Sequence, residues 1–447
     1  MNDTRRDFLK KATIGATGLF FGSFTNGMSA KSYSRIIGSN ERLIVAIAGL
    51  GRRLDAYYEP VSLKSSNVEL LYLCDVMQSQ MELAAKKFSS NIDYSPKLEA
   101  DIRKVIEDKH VDVLINATPD HWHTPGTCMA VIAGKHVYLE KPCSHNPREG
   151  ELLIELQKKY GKVIQMGNQQ RSSIESIEII NEIHNGIIGV PYEAIAFYSA
   201  DREEVPLPRR EAPPKGLNWD LFQGPSPRSP YMFNTWDYNW HWYGWNYGTA
   251  ESGNNGTHEL DIARWAMQVD FPEYVSVDAY KRHFKNDGWT MYDTMLATFR
   301  FPNDKVIKWD CKSRNSYLTY GSDRGTIIYG TQGSVYVDRD GYRLFDRFGK
   351  FIRDSQSQQK EAGTALGGGG ALSTKHMVNF FDAVRGKVAP NSPIEEGVKS
   401  TLLCHLANIA YRTGEQLNID LKNGHVYSRE AMKLWSRDYQ PGWEPKI

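Results

Sequence analysis

The sequence predicts an α/β protein whose first domain is a doubly wound parallel sheet, and three observations predict it. Short apolar runs alternate with helix-length stretches from about residue 40 to residue 165. The first run, Leu43–Ala48, is apolar throughout, as a strand buried on both faces must be. It passes directly into Gly49-Leu50-Gly51, a strand, glycine turn and helix junction.

That junction reads as a Rossmann opening. Its first glycine allows the turn, and its second lets a pyrophosphate approach the N-terminus of a helix begun by Arg52. Leu54 stands where the third glycine of the fingerprint belongs. The next apolar run, 68–73, ends in Cys74-Asp75. Asp75 is placed to accept hydrogen bonds from adenosine ribose hydroxyls and to repel a 2′-phosphate, which favours NAD over NADP. Arg52 and Arg53 weaken that preference, and capping of a helix at 76–88 is the plainer role for Asp75. A helix at 98–109, a strand at 111–117, a helix at 124–133, a strand at 136–139, a helix at 148–160 and a strand at 162–166 complete the alternation. Ligands of such sheets sit beyond the carboxyl ends of the strands. Thr118-Pro119-Asp120-His121-Trp122-His123 and Glu140-Lys141-Pro142 both lie at such ends.

Bulk properties set the frame. A chain of 447 residues suits two domains. With 54 basic against 53 acidic side chains, nothing favours a polyanionic partner, and no nucleic acid is expected. The five cysteines are scattered, with no CxxC or CxxH spacing, which excludes a disulfide framework and a cysteine zinc site but leaves an isolated disulfide open. No internal apolar run is long enough for a membrane span. The amino terminus, Thr4-Arg5-Arg6-Asp7-Phe8-Leu9-Lys10 followed by an apolar, glycine-containing stretch over 12–24, resembles a twin-arginine export signal. A basic amphipathic helix is the alternative. The expectation is a signal peptide over 1–30 and a periplasmic or otherwise exported protein, with no anchor once the signal is removed. Folded cargo of that route typically carries a cofactor acquired in the cytoplasm.

The chain resembles the Gfo/Idh/MocA oxidoreductases, named for glucose–fructose oxidoreductase and inositol dehydrogenase. The residues that carry the resemblance are the Gly49-Leu50-Gly51 turn, Asp75, the segment 117–123, and above all Gly134-Lys135-His136-Val137-Tyr138-Leu139-Glu140-Lys141-Pro142. Later matches fall at 165–171, Asn218-Trp219-Asp220, 253–261 and 394–413. The resemblance implies a Rossmann NAD-binding domain over 40–165 and an α+β domain over 166–400. The second domain has a large open, mostly antiparallel sheet, and 401–447 form a terminal helix and tail packed on the assembly. Strands at 192–199, 274–280, 291–301, 305–311, 325–329 and 334–338 fit that sheet, and the run Gly367–Gly370 reads as a loop. A homo-oligomer, dimer or tetramer, is expected.

The resemblance also assigns roles. Hydride transfer from a sugar hydroxyl needs a proton acceptor and groups that fix the carbon against the nicotinamide. Lys141 resembles the family lysine at the reacting hydroxyl, and His258 the family proton acceptor, an imidazole suited to transfer near neutral pH. The family aspartate four residues before that histidine is Asn254 here, which can orient a ligand but not take a proton. Gly49, Gly51, Arg52, Asp75, Thr118, Pro119, His121, Trp122, His123, Glu140 and Lys141 are the expected cofactor contacts. Arg171, Trp240, His241, Tyr243, Asn254 and His258 are the expected substrate contacts. No metal site is expected, because the His121/His123 pair has no third ligand placed by spacing. The segment 236–248 holds seven aromatics in thirteen residues, suited to stacking on sugar rings or to core packing. The function read from these residues is transfer of hydride between a tightly held NAD and a sugar or sugar-derivative hydroxyl or carbonyl. A redox-neutral, NAD-dependent glycosidase and a non-catalytic sugar-binding relative are the rivals.

Overall fold

The computed structural model describes residues 41–355 and 370–447; the export-signal segment and residues 367–369 of the glycine run lie outside the described residues. Six strands, β1 (Leu43–Ala48), β2 (Val68–Cys74), β3 (Lys97–Glu99), β4 (Val113–Asn116), β5 (His136–Leu139) and β6 (Ile164–Met166), lie in the order β3-β2-β1-β4-β5-β6. All pairings in this sheet are parallel. The central strands β1 and β4 are almost wholly buried, which explains their unbroken apolar sequences. The order reverses between them, so a crevice opens beyond their carboxyl ends.

Two departures from the sequence pattern have physical causes. The edge strand β3 is three residues long and largely exposed, too polar to register as a strand, and it shortens the expected helix at 98–109 to Ile102–Glu107. The helix expected to begin at 124 runs instead over Asp120–Ile132, with Pro125 inside it. Proline cannot donate to the carbonyl four residues back, so the His121 carbonyl loses its helical partner. Arg437, from the carboxyl-terminal tail, supplies a guanidinium donor to that oxygen at 2.5 Å.

The second sheet contains β7 (Pro191–Ser199), β8 (Tyr274–Tyr280), β9 (Thr294–Arg300), β10 (Val306–Lys312), β11 (Arg324–Gly330), β12 (Gly333–Val337), β13 (Tyr342–Asp346), β14 (Phe351–Asp354) and β15 (Leu417–Asn418). Their order is β14-β13-β12-β11-β7-β10-β9-β8-β15, antiparallel except where β7 meets β10. The strict alternation of β9 and β10 turns Met295, Ala297, Phe299, Ile307, Trp309 and Cys311 into one core, against the helices Thr257–Met267 and Ile394–Thr413.

Chain order does not partition the two layers. The helix Ala371–Val384 falls within the stretch expected for the second domain, yet Met377, Phe380 and Phe381 enter the apolar cluster of the parallel sheet. It packs on the helix Asp55–Ser62, where Thr374 donates to Glu59 at 2.8 Å. The helix Ile394–Thr413 crosses the boundary expected at 400 and packs on Pro147–Tyr160 as well as on Thr257–Met267. All five cysteines are buried free thiols, so the isolated disulfide left open by the sequence is not formed. Among the described residues, no helix is long and apolar enough to cross a membrane.

Several interior histidines are held neutral. Burial depresses His121 and His405 to about 3 and His376 to about 4. The unfolded chain takes up protons that these imidazoles refuse in the fold, so their contribution to stability is complete above the unfolded value of 6.5 and is lost as pH falls below it. Each costs about 1.4 kcal/mol per pH unit in that window. Denaturant titrations between about pH 6.5 and 4 are expected to show this steep loss, and His405→Gln to flatten it.

Candidate active site

The crevice between β1 and β4 widens into a cavity of about 530 Å³ lined by both layers. At its floor, Gly49 has φ +88°, and a Cβ there would lie 2.2 Å from the Ala117 carbonyl oxygen. Only glycine fits. Gly51 faces open space, with nothing within 4 Å of the position a Cβ would take. The absent third glycine is explained by Leu54, whose side chain is 8% exposed and packs into the apolar cluster beneath the helix. Asp75 stitches the turn to the next strand, accepting the Leu50 N–H at 2.7 Å and the Met77 N–H at 2.8 Å. Burial pushes its carboxyl above the ordinary value while these two donors oppose the shift. Asp75 lines the cavity together with Gly51 and Thr118. The turn, the cleared approach at Gly51 and this carboxylate fit a bound NAD.

Glu140 follows β5 and is 5% exposed. Arg53 Nε lies 3.0 Å and the Tyr57 hydroxyl 2.9 Å from its Oε1. A Cβ at Gly167 would come within 2.9 Å of the carboxylate, so that glycine makes room for it. Burial alone would raise the Glu140 carboxyl, but Arg53 and Lys141 overcome it and hold the group below its usual range. A cis peptide joins Lys141 to Pro142. Lys141 Nζ crosses to the second layer and donates to the Asn254 carbonyl at 2.7 Å. Burial lowers its pKa, while Asp120 and Glu140 pull it back up.

Asn254 and Asn255 lie in a π-helical turn, Ser252–Gly256, that leads into the helix Thr257–Met267. Such widened turns recur at functional sites because they displace side chains from regular spacing. His258 sits just inside the helix, 9% exposed, lining the cavity with no hydrogen-bond partner among the described residues. Burial, then Arg339, Lys141, Arg324 and Arg53, hold its imidazole well below the ordinary value. It is therefore a neutral ring available to accept a proton.

The cavity gathers Gly49, Gly51, Arg52, Asp75, Thr118, Pro119, Trp122, His123, Glu140, Lys141, Trp240, His241, Asn254 and His258. Three expected residues lie elsewhere. Arg171 forms a buried bidentate pair with Asp261, 2.7 and 2.9 Å, so its guanidinium joins the β6 exit to the helix Thr257–Met267 rather than meeting substrate. Tyr243 donates its hydroxyl to the Pro206 carbonyl, away from the cavity. His121 is fully buried against Phe222 and Tyr247, with Nε2 2.8 Å from the Phe222 carbonyl oxygen. His123 reaches the cavity wall, but its two nitrogens lie 2.6 and 2.7 Å from the carbonyl oxygens of Pro142 and Thr118. Its ring braces both strand ends.

The aromatic segment divides. Trp236, Tyr238, Trp240 and His241 line the cavity, with Trp240 stacked on His241 at 3.5 Å between centroids. Trp242 turns the other way and stacks on Trp289 in the second core. Sequence reasoning passed over Asp120, Arg202, Arg324 and Arg339 as site residues, and it weighed Arg53 only for phosphate preference; all five line the cavity. Asp120 stood inside the quoted strand-end motif, but the arginines from the second layer carry no local signature, because strand ends far apart in sequence bring them together.

Fold and site define a two-layer, dinucleotide-binding protein whose cofactor crevice opens onto a second sheet. Residues 43–168 match the oxidoreductase family with an NAD-binding Rossmann fold, and residues 223–336 match the Gfo/Idh/MocA C-terminal domain. The chain belongs to the Gfo/Idh/MocA oxidoreductase family, and its cofactor is NAD. It is 27% identical over 154 residues to D-glucoside 3-dehydrogenase of Escherichia coli, covering 34% of this chain and 42% of that protein. A glycosyl hydrolase family 109 protein of Saccharopolyspora erythraea is 27% identical over 253 residues, covering 51% of this chain and 55% of that one. The chain thus spans about half the length of these two curated relatives. The WlbA dehydrogenase of Bordetella pertussis, solved with NADH and UDP-GlcNAcA, shares the fold. Its TM-score is 0.61 at 16% identity, covering 85% of this chain and 99% of that one.

Substitutions at the two glycines are expected to differ. Gly49→Ala should destabilise the protein whether or not nucleotide is present. Gly51→Val should leave the nucleotide-free melting temperature unchanged and weaken NAD binding by calorimetry, since its side chain enters only the cavity. Arg171→Met should cost about 3–5 kcal/mol of stability by stranding Asp261. An Arg171→Met protein of normal stability but raised KM would instead restore it to the substrate site.

Proposed function

We propose that this protein transfers hydride between NAD and a hydroxyl or carbonyl of a sugar or sugar derivative. The observation that carries the reading is the meeting of Lys141 and His258 in one cavity, the first anchored across the layers on Asn254 and the second with an unpartnered imidazole. Bound NAD supplies the hydride acceptor or donor. Lys141 places an ammonium donor where alkoxide charge develops on the substrate oxygen. His258, neutral because of its burial and its cationic neighbours, takes the hydroxyl proton during oxidation. Asn254 holds the lysine and orients it without competing for the proton. Trp236 and Trp240 line the cavity with indole rings suited to the C–H side of a sugar.

The twin-arginine pattern at Arg5-Arg6 supports export of the folded protein, and an exported protein needs a cofactor that stays bound through turnover. Regeneration then comes from a second carbonyl substrate or from a redox-neutral cycle. The partial likeness to a family 109 glycosyl hydrolase favours the redox-neutral cycle as a second reading. The homo-oligomer remains part of the proposal.

Protein purified without added nucleotide is expected to show the near-ultraviolet band of reduced nicotinamide, responsive to sugars. Release of the aryl group from aryl glycosides would favour the glycosidase, and failure to bind NAD at all would sink both. Lys141→Met and His258→Ala should each lower kcat by about 10²–10⁴ with NAD binding retained. Because His258 is held well below its ordinary value, kcat/KM for oxidation should stay level as pH falls through about 6.5. A half-loss at that pH would show a proton-accepting imidazole of ordinary basicity and overturn the depressed state of His258, whereas a level profile that persists in His258→Ala would remove His258 from the proton-accepting role.

A further inference from the structure

The aromatic segment that follows Asn234 belongs to the second layer but ends against the first. Its backbone is closed on itself: the Asn239 N–H donates to the Asn234 carbonyl at 3.2 Å and the Trp240 N–H to the Thr235 carbonyl at 3.0 Å. Largely buried groups fasten it to the second layer. Trp242 stacks on Trp289 at 4.0 Å between centroids, and its carbonyl accepts the Thr290 N–H at 3.1 Å. The Tyr238 hydroxyl accepts a hydrogen bond from Arg202 at 3.2 Å, and Arg202 is itself fixed at 2.8 Å by the fully buried Glu251.

The contact with the first layer is of a different kind. The Arg52 guanidinium lies 4.2 Å from the centre of the Tyr238 ring and 3.8 Å from the Asp237 carboxylate. Among the described residues, these are the ring contact and the ion pair that join residues 236–243 to the parallel-sheet layer. The Arg52 and Asp237 side chains are each 47% exposed, so the contact stands at the rim of the cavity and not in the interior. Arg52 directly follows Gly51, where the approach of the pyrophosphate is clear, and Gly51, Arg52, Asp237 and Tyr238 all line the one cavity. An exposed ion pair at this distance contributes little, so the ring contact carries the junction. A guanidinium offers its face to a ring and its N–H groups in plane. Arg52 can therefore rest on Tyr238 while it donates to the pyrophosphate, and the junction persists with NAD bound.

We propose that Tyr238, seated on Arg52, latches the segment 236–241 across the rim of the nucleotide crevice and gates the exchange of bound NAD. This rests on the tightly held cofactor of the reading above and supplies the means of holding it. The latch has one fixed side and one yielding side. Arg202 and Trp289 hold the segment through largely buried contacts, whereas Arg52 is a single half-exposed side chain. Opening therefore parts Tyr238 from Arg52. A gate acts on entry and exit alike. Its removal speeds both, whereas removal of an ordinary cofactor contact speeds exit alone.

The test is stopped-flow fluorescence of NADH binding, and of NADH displacement by excess NAD, with no sugar present. Tyr238→Ala and Arg52→Ala should each release NADH roughly three- to thirtyfold faster, the range that one cation–ring contact spans. Tyr238→Ala should speed entry in proportion and keep the equilibrium affinity within about twofold, and Tyr238→Phe, which keeps the ring face, should release close to the parent rate. In the Arg52→Ala background, Tyr238→Ala should add less than about twofold, because both residues belong to one contact. Faster release of NADH from Tyr238→Ala without faster entry, or additive effects in the double variant, would overturn the proposal. Arg52 lies at the surface, so release at the parent rate in Arg52→Ala overturns it whether or not the tyrosine variants fold. A protein that holds NADH behind this latch yet oxidises no sugar would uphold the latch and remove the oxidoreductase reading. Sugar oxidation with parent release rates in both alanine variants would do the reverse.

Discussion

The buried Glu140 carboxylate is the constraint on which the site depends. It lies at the end of β5 in an interior that would refuse it a charge, and Arg53 with the Tyr57 hydroxyl makes that charge tolerable. Both partners come from the segment that follows the glycine turn. One ion pair therefore ties the nucleotide turn to the strand end that presents Lys141. Gly167 is small because this carboxylate occupies the space a side chain would need. If the Arg53 charge were removed, the buried Glu140 carboxylate would be left with Lys141 alone to answer it, and the position of Lys141 relative to the crevice would shift with it.

From that pair the geometry propagates across the layers. Lys141 spans to Asn254, whose π-helical turn sets the start of the helix bearing His258. Thr249 donates to Asp120 at 2.6 Å, and Arg171 with Asp261 fastens the β6 exit to the same helix. These polar links are buried, where a satisfied hydrogen bond fixes one arrangement because any other leaves groups unpaired. The helices Ala371–Val384 and Ile394–Thr413 supply the apolar counterpart by packing chain from the second half onto the first. The cavity between the layers is accordingly a product of the whole fold.

Protonation follows the same logic. Lys141 and His258 are both pushed toward neutrality by burial, but their surroundings differ. Lys141 has Asp120 and Glu140 to sustain its charge, whereas Arg339, Lys141, Arg324 and Arg53 all disfavour a charge on His258. A cationic donor and a neutral acceptor thus stand side by side without either being chemically unusual.

The parallel sheet, its glycine turn, Asp75 and the Glu140-Lys141-Pro142 segment were legible in the sequence because each is local. A buried strand must be apolar throughout, and a turn at φ +88° must be glycine. The aromatic segment was legible as a segment but not in its division, since only packing sends Trp240 to the cavity and Trp242 to the core. Arg171 and His121 looked available for a ligand because nothing local announces Asp261 ninety residues away, or the Phe222 carbonyl about a hundred away. The reverse holds for Arg324 and Arg339, ordinary arginines in sequence that long-range strand pairing delivers to the cavity. Residue types at short spacing settled which chemistry was on hand. The tertiary structure decided which charges face one another, because pairing energies depend on distances that only the folded chain sets.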